Sequence, residues 1–314
     1  MWDKPLPLLS LPPMKHLLSY LKQFWREAGN FSYLLATLVW LAFAMGIYYQ
    51  LVQSSALLYQ VLFQALVYLG TVGLAVAAQR LFYKQPIQEM NRFWVLLAIS
   101  IGVLLIRKGF IYHRVWIKAQ VPFSLQYWAE QLTVYGFRIL IFALPVYLIW
   151  RFYDTQKGPL YGFSAKTFYP KPYLILLLMI APFVWWASTT AGFLAQYPIY
   201  KANFAAAYLK IPSWVTAATF ELLYGIDFVF VELFFRGFLI ILIGRYLGPQ
   251  VVILAASIYC LFHLGKPIGE TISSFFGGML LGVFSYYSRS IYGGVLLHLG
   301  VAYMMELFAF LQKT

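Results

Sequence analysis

Glu232 and Arg236 stand four residues apart in "FVFVELFFRGFLI", Phe228 to Ile240, a run that is otherwise apolar. On a helix, positions i and i+4 share a face, and a Glu N-terminal to its cation is the better order for an ion pair. The next apolar run closes with Tyr259 and His263 at the same spacing, followed by a Gly265/Pro267 break with Lys266 and Glu270. The last run sets His298, Ala302, Met305 and Glu306 on one helical face. Of the ten carboxylates, five (Glu221, Asp227, Glu232, Glu270 and Glu306) fall in the last 94 residues, together with His263 and His298. A charge at the centre of a bilayer costs about 3 kcal/mol on insertion scales. Several unpaired charges would remove most of a stability of roughly 5–15 kcal/mol, so these groups must be paired, protonated or wet. Carboxylate and imidazole together can do general acid–base chemistry. Taken alone, Glu232 and Arg236 also fit a pair that only neutralises itself, and a lone intramembrane His also fits a satisfied hydrogen-bond partner.

The elements that hold these residues follow from composition. The chain of 314 residues is 62% hydrophobic and 11% charged, too apolar for a soluble protein to bury. Its apolar runs of about 20 residues match the span of a bilayer. The expectation is an all-α, polytopic membrane helix bundle of about nine transmembrane helices. These fall near 32–52, 56–79, 93–107, 130–150, 172–196, 214–244, 249–263, 270–288 and 290–311. The N-terminus, broken by Pro5, Pro7, Pro12 and Pro13, lacks the h-region of a signal peptide and is expected to be retained. From Met14 to Ala28 the apolar residues recur at helical spacing, which predicts an interfacial amphipathic helix. The organisation is therefore an N-terminal interfacial segment (1–30), a four-helix leader (31–152), a polar Pro/Gly-bearing linker (153–171) and a five-helix core (172–314). With the N-terminus inside, most of the Lys and Arg between runs fall on the cytoplasmic side, although Arg107, Lys108, Arg114 and Lys118 oppose that orientation.

The net charge of +13 sits mainly between apolar runs, where lipid headgroups are its counter-charge. No recognisable nucleic-acid module accompanies it, so the expected partners are the lipid bilayer and a membrane-associated peptide or protein, with no nucleic acid. The single cysteine, Cys260, excludes an intrachain disulfide and reads as a small buried hydrophobe. Ser274, Gly278 and Gly282 recur every four residues, a pattern that lets helix backbones approach closely.

These residues resemble the CPBP family of intramembrane proteases, which includes the CAAX prenyl endopeptidases and the bacterial immunity-type Abi relatives. The family pattern is a Glu-Glu-x-x-x-Arg helix, an aromatic-x-x-x-His helix and a His-x-x-x-Asn helix, and "VELFFRGF", "YCLFH" and "HLGVA" are similar to it in that order. The resemblance covers Phe228 to Glu306. It implies that Glu232 and Arg236 order the site and that His263 and His298 bind or polarise water or an oxyanion. Two positions depart: Val231 stands where the family has its water-activating Glu, and Ala302 where it has Asn or Asp. Glu270 or Glu306 could then act as base. Two His and a carboxylate also meet the ligand count of a site for a divalent metal such as zinc, the cofactor being otherwise unknown. The implied function is an intramembrane endopeptidase in a bacterial plasma membrane. Nothing in the sequence reads an isoprenoid. A non-catalytic immunity or scaffold protein of the same fold is the alternative, and an ion- or proton-coupled transporter lacks the internal repeat expected of one.

Overall fold

The computed structural model describes residues 13–156, 158–200 and 204–313; the proline-broken stretch 1–12 lies outside them. Inside a bilayer each backbone N–H and C=O must be satisfied within its own segment, so apolar runs close as helices. The order is α1 (Pro13–Ala28), α2 (Phe31–Ile47), α3 (Leu57–Ala78), α4 (Met90–Gly109), α5 (Tyr112–Gln120), α6 (Phe123–Leu148), α7 (Pro170–Ser188), α8 (Ala191–Gln196), α9 (Phe204–Leu209), α10 (Ser213–Glu232), α11 (Gly244–Leu247), α12 (Val251–Phe262), α13 (Ile268–Ser288) and α14 (Tyr292–Lys313). Wider π turns prolong α2 to Val52, α3 to Tyr83, α6 to Tyr153 and α10 to Leu242. Among the described residues there is no strand, only an isolated bridge between Leu264 and Lys266.

Seven helices among the described residues are long and apolar enough to cross a membrane, not nine. The chain is an integral, multi-pass membrane protein. The count falls short for two physical reasons. The stretch from Ser213 to Leu242 is long enough but carries Glu221, Asp227, Glu232 and Arg236. The 12 residues of Val251–Phe262 rise only about 18 Å, against a hydrocarbon core of about 30 Å. The second is instead wrapped in protein, every residue from Gln250 to Leu264 being buried, and so is the end of the first from Val231 onward, whereas Trp214, Leu222 and Ile226 nearer its start stay exposed.

The close approach expected of the small-residue pattern is present between α12 and α13. A Cβ on Gly278 would lie 3.3 Å from Ala256, and one on Gly282 would lie 2.9 Å from both Ile240 and Val252. Leader helices complete the jacket, with α3 packing on α12 and α6 on α10. The amphipathic helix α1 buries Leu17, Phe24 and Ala28 against the bundle while Leu18 and Trp25 stay exposed. Tyr287 fastens it by donating to Glu27 at 2.8 Å.

Candidate functional site

Helix α10 and its π continuation carry Glu232 into the protein interior, where its Oε1 meets His298 Nδ1 of α14 at 2.8 Å. The two backbones can come this close because residue 294 is glycine; a Cβ there would strike Glu232 Oε2. Arg236 Nη1 lies 3.1 Å from the same Oε1. That contact is an ion pair whose angles fall short of a hydrogen bond, and Arg236 Nε likewise lacks an aligned acceptor. The guanidinium rests over the Tyr259 ring at 4.6 Å, a cation–π contact strengthened by burial.

Tyr259 joins the two histidines. Its hydroxyl lies 3.1 Å from His298 Nε2, and its carbonyl lies 2.9 Å from His263 Nδ1. These partners fix the tautomers. A carbonyl only accepts, so His263 carries its proton on Nδ1 and presents Nε2 as a lone pair. The Glu232 carboxylate, beside Arg236, accepts from His298 Nδ1, so His298 Nε2 accepts the Tyr259 proton. The His298 ring is held by Phe228, edge-on at 4.4 Å.

His263 sits at the end of α12 because the chain cannot continue as helix there. Gly265 takes a φ of +100°, a left-handed value that favours glycine, and Pro267 precedes α13. The His263 carbonyl accepts from Lys266 N–H at 3.0 Å and from Thr271 Oγ1 at 3.0 Å. From the leader, Tyr49 donates to the Lys266 carbonyl at 2.5 Å, and Gln64 Nε2 donates to the Leu261 carbonyl at 2.9 Å.

Glu270 and Glu306 are occupied elsewhere. Glu270 pairs with Lys266 and accepts from the Tyr197 hydroxyl at 3.2 Å. Glu306 accepts the Ile199 N–H through both oxygens, at 2.9 and 3.2 Å. Lys313 Nζ donates to the carbonyls of Leu194 and Tyr197 at 2.7 and 2.8 Å. These contacts pin the segment between α7 and α10. Thus Glu232, Arg236 and His298 meet directly and His263 joins them through Tyr259. Glu270 is near enough for its charge to act on Tyr259, and that of Glu306 acts on Tyr135 and Tyr224.

Three residues of this neighbourhood carry little signal in the sequence. Asp227 is fully buried, and Arg138 of α6 lies 2.7 Å from its Oδ2. Arg107, at the end of α4, stacks over Phe262 at 4.2 Å. The usable signal was an arginine inside each of two leader runs, since intramembrane charges default to function.

The residues do not form a metal cradle. Among the described residues no group of three His, Cys, Asp or Glu side chains is arranged to hold an ion. His298 has both ring nitrogens engaged, and Glu232 Oε1 is shared with Arg236. A surface concavity of about 650 Å³, an apolar groove lined by Trp40, Phe43, Gly70 and Gly73, lies apart from these groups.

Residues 212–304 match the type II CAAX prenyl endopeptidase Rce1-like family. No curated protein and no solved structure matches the chain.

Proposed function

We propose that this chain, whose core is consistent with a CPBP family protein, is an intramembrane endopeptidase that hydrolyses a peptide bond of a membrane-associated peptide or protein. One observation carries the reading: a buried carboxylate backs one nitrogen of an imidazole whose other nitrogen is an acceptor facing a hydroxyl, Glu232–His298–Tyr259. A carboxylate so placed sets the tautomer and stabilises the imidazolium that forms when the ring takes a proton.

In this reading a water takes the place of the Tyr259 proton at His298 Nε2 and attacks the carbonyl carbon. The water proton moves to Nε2, and the carbonyl π electrons move onto oxygen. The Tyr259 hydroxyl, released from the ring, donates to that oxyanion. The intermediate collapses with cleavage of the C–N bond, and Nε2–H protonates the leaving amine. His263 Nε2, the open acceptor beside them, receives an N–H of the substrate backbone. Glu270 and Glu306 act as positioning residues that hold Tyr197 and Ile199 against the core. The charge bias between runs supports a cytoplasmic N-terminus in a bacterial plasma membrane.

A second reading, a non-catalytic binding protein of the same fold, is favoured by Val231 and Ala302, whose side chains supply neither base nor donor. Purified protein in proteoliposomes, assayed on a library of membrane-tethered peptides, separates the two. Cleavage that is lost in both His298→Ala and Tyr259→Phe supports the peptidase. A wild type that cleaves nothing while binding a membrane partner supports the alternative, and cleavage surviving His298→Ala removes the mechanism.

A further inference from the structure

Val231 lacks the carboxylate that would hold the attacking water on the α10 side, yet one helical turn earlier, at i−4 on the same face, stands Asp227. Asp227 has no exposed surface, and neither of its oxygens has an aligned hydrogen-bond donor. Oδ2 nevertheless lies 2.7 Å from the Arg138 guanidinium, so Oδ1 is the oxygen left for a further partner, and buried polar atoms are normally hydrogen-bonded. Its next neighbour, Phe228, packs on the His298 ring. The charges of His298 and Lys266, like those of Arg138 and Arg107, reach it.

We infer that Asp227 is a catalytic residue, the carboxylate that binds the attacking water in place of the one absent at position 231. The inference rests on the peptidase reading. Asp227 accepts one O–H of the water while His298 Nε2 takes the other proton, so no extra reactant enters and the balance of the hydrolysis is unchanged. Arg138, 2.7 Å from Oδ2, offsets part of the cost that burial imposes on the carboxylate charge and leaves Oδ1 for the water. Arg138 and Arg107 both come from the leader, which gives those helices a part in the chemistry beyond covering the core.

The structural rival is an Asp227 that only neutralises Arg138. Four proteins in the proteoliposome assay separate them: wild type, Asp227→Asn, Asp227→Asn with Arg138→Gln, and Asp227→Asn with Val231→Glu, each checked for a monodisperse, cooperatively melting bundle. The expected result is a loss of kcat of about 10²-fold or more in Asp227→Asn, no recovery on adding Arg138→Gln, and partial recovery on adding Val231→Glu. Full activity in Asp227→Asn, or recovery through Arg138→Gln, overturns the inference while leaving the peptidase reading intact. An inactive wild type overturns that reading and this inference with it. Should Asp227→Asn fail to fold, Val231→Glu alone decides: a second carboxylate on that turn raises kcat if water binding limits the reaction, and an unchanged or lower kcat in a folded variant counts against it.

Discussion

The leader helices and the α10–α13 core are built from similarly apolar sequence but spend it differently. In the first leader span, Phe31–Val52, 28% of the most apolar window is buried, and in Phe123–Tyr153, 22%; in Ile268–Ser288 of the core the share is 50%. Leu35, Val39, Leu66 and Leu69 face outward, whereas Leu233–Ile243 and Val251–Leu264 are buried throughout. Lipid is as apolar as leucine, so facing it gives a leader helix nothing to pair a charge with. The charges of α10 therefore find their partners on neighbouring helices, Asp227 on α6 and Glu232 on α14. The lesson is that packing, not lipid, supplies the partners of the buried charges: Arg236 and His298 for Glu232, and Arg138 of the leader for Asp227.

The sharpest break in this comparison comes from the polar chain itself. Glu232→Gln keeps the shape but weakens the acceptor behind His298, and kcat is expected to fall about 10²–10⁴-fold, with a loss of stability of about 3–5 kcal/mol as well, because the buried Arg236 loses its counter-charge. Next comes packing. Phe234 is fully buried against Phe142 of the leader, ring centroids 4.9 Å apart. Phe234→Ala should destabilise toward the lower end of about 3–5 kcal/mol, because the bilayer supplies less transfer energy than water while the cavity remains. Its lipid-facing control, Leu66→Ala, should stay within about 0.5 kcal/mol in a reversible unfolding assay in bilayer mimics. Equal losses at the two positions would dissolve the contrast. Gly294→Ala lies between packing and chemistry: its methyl group collides with Glu232 Oε2. A displaced carboxylate should lower kcat roughly 10²-fold, while a change at the neighbouring Gly277, where a Cβ would meet nothing within 4 Å, should leave kcat alone.

Much of the core was legible from spacing. Helical periodicity puts Glu232 with Arg236, Tyr259 with His263, and His298 with Glu306 on shared faces, while a common site for His263, His298, Glu232 and Arg236 is what the family resemblance implied. The number of spans was not legible, since hydropathy cannot tell a helix that lies in lipid from one that lies in protein. Val251–Phe262 reads as a span by its apolar run and is a short core helix by its length. The occupation of Glu270 and Glu306 by Tyr197 and Ile199 was also hidden, because both lie in the irregular stretch after α8, where no periodicity tells what it packs on. Arg138 and Asp227 lie 89 positions apart on helices that nothing in the sequence pairs.

The smallest effect tests whether the jacket is also a support. Gln64 is almost fully buried and reaches across from α3, its Nε2 donating both to the Leu261 carbonyl and to the Tyr68 hydroxyl, each at 2.9 Å. Gln64→Leu removes both bonds without opening a cavity. The Leu261 carbonyl keeps the Leu264 N–H at 3.3 Å, but the buried Tyr68 hydroxyl loses its donor, so the loss of stability should be about 1–3 kcal/mol. The catalytic consequence should be larger than that figure suggests for so remote a side chain, because Leu261 lies two residues before His263 and the bond holds the end of α12 in register. A kcat lowered several-fold with KM unchanged would mark the leader as a support for the site. An unchanged kcat beside the same small loss of stability would reduce α3 to a cover, leaving Arg138 and Arg107 as the leader's whole contribution to chemistry.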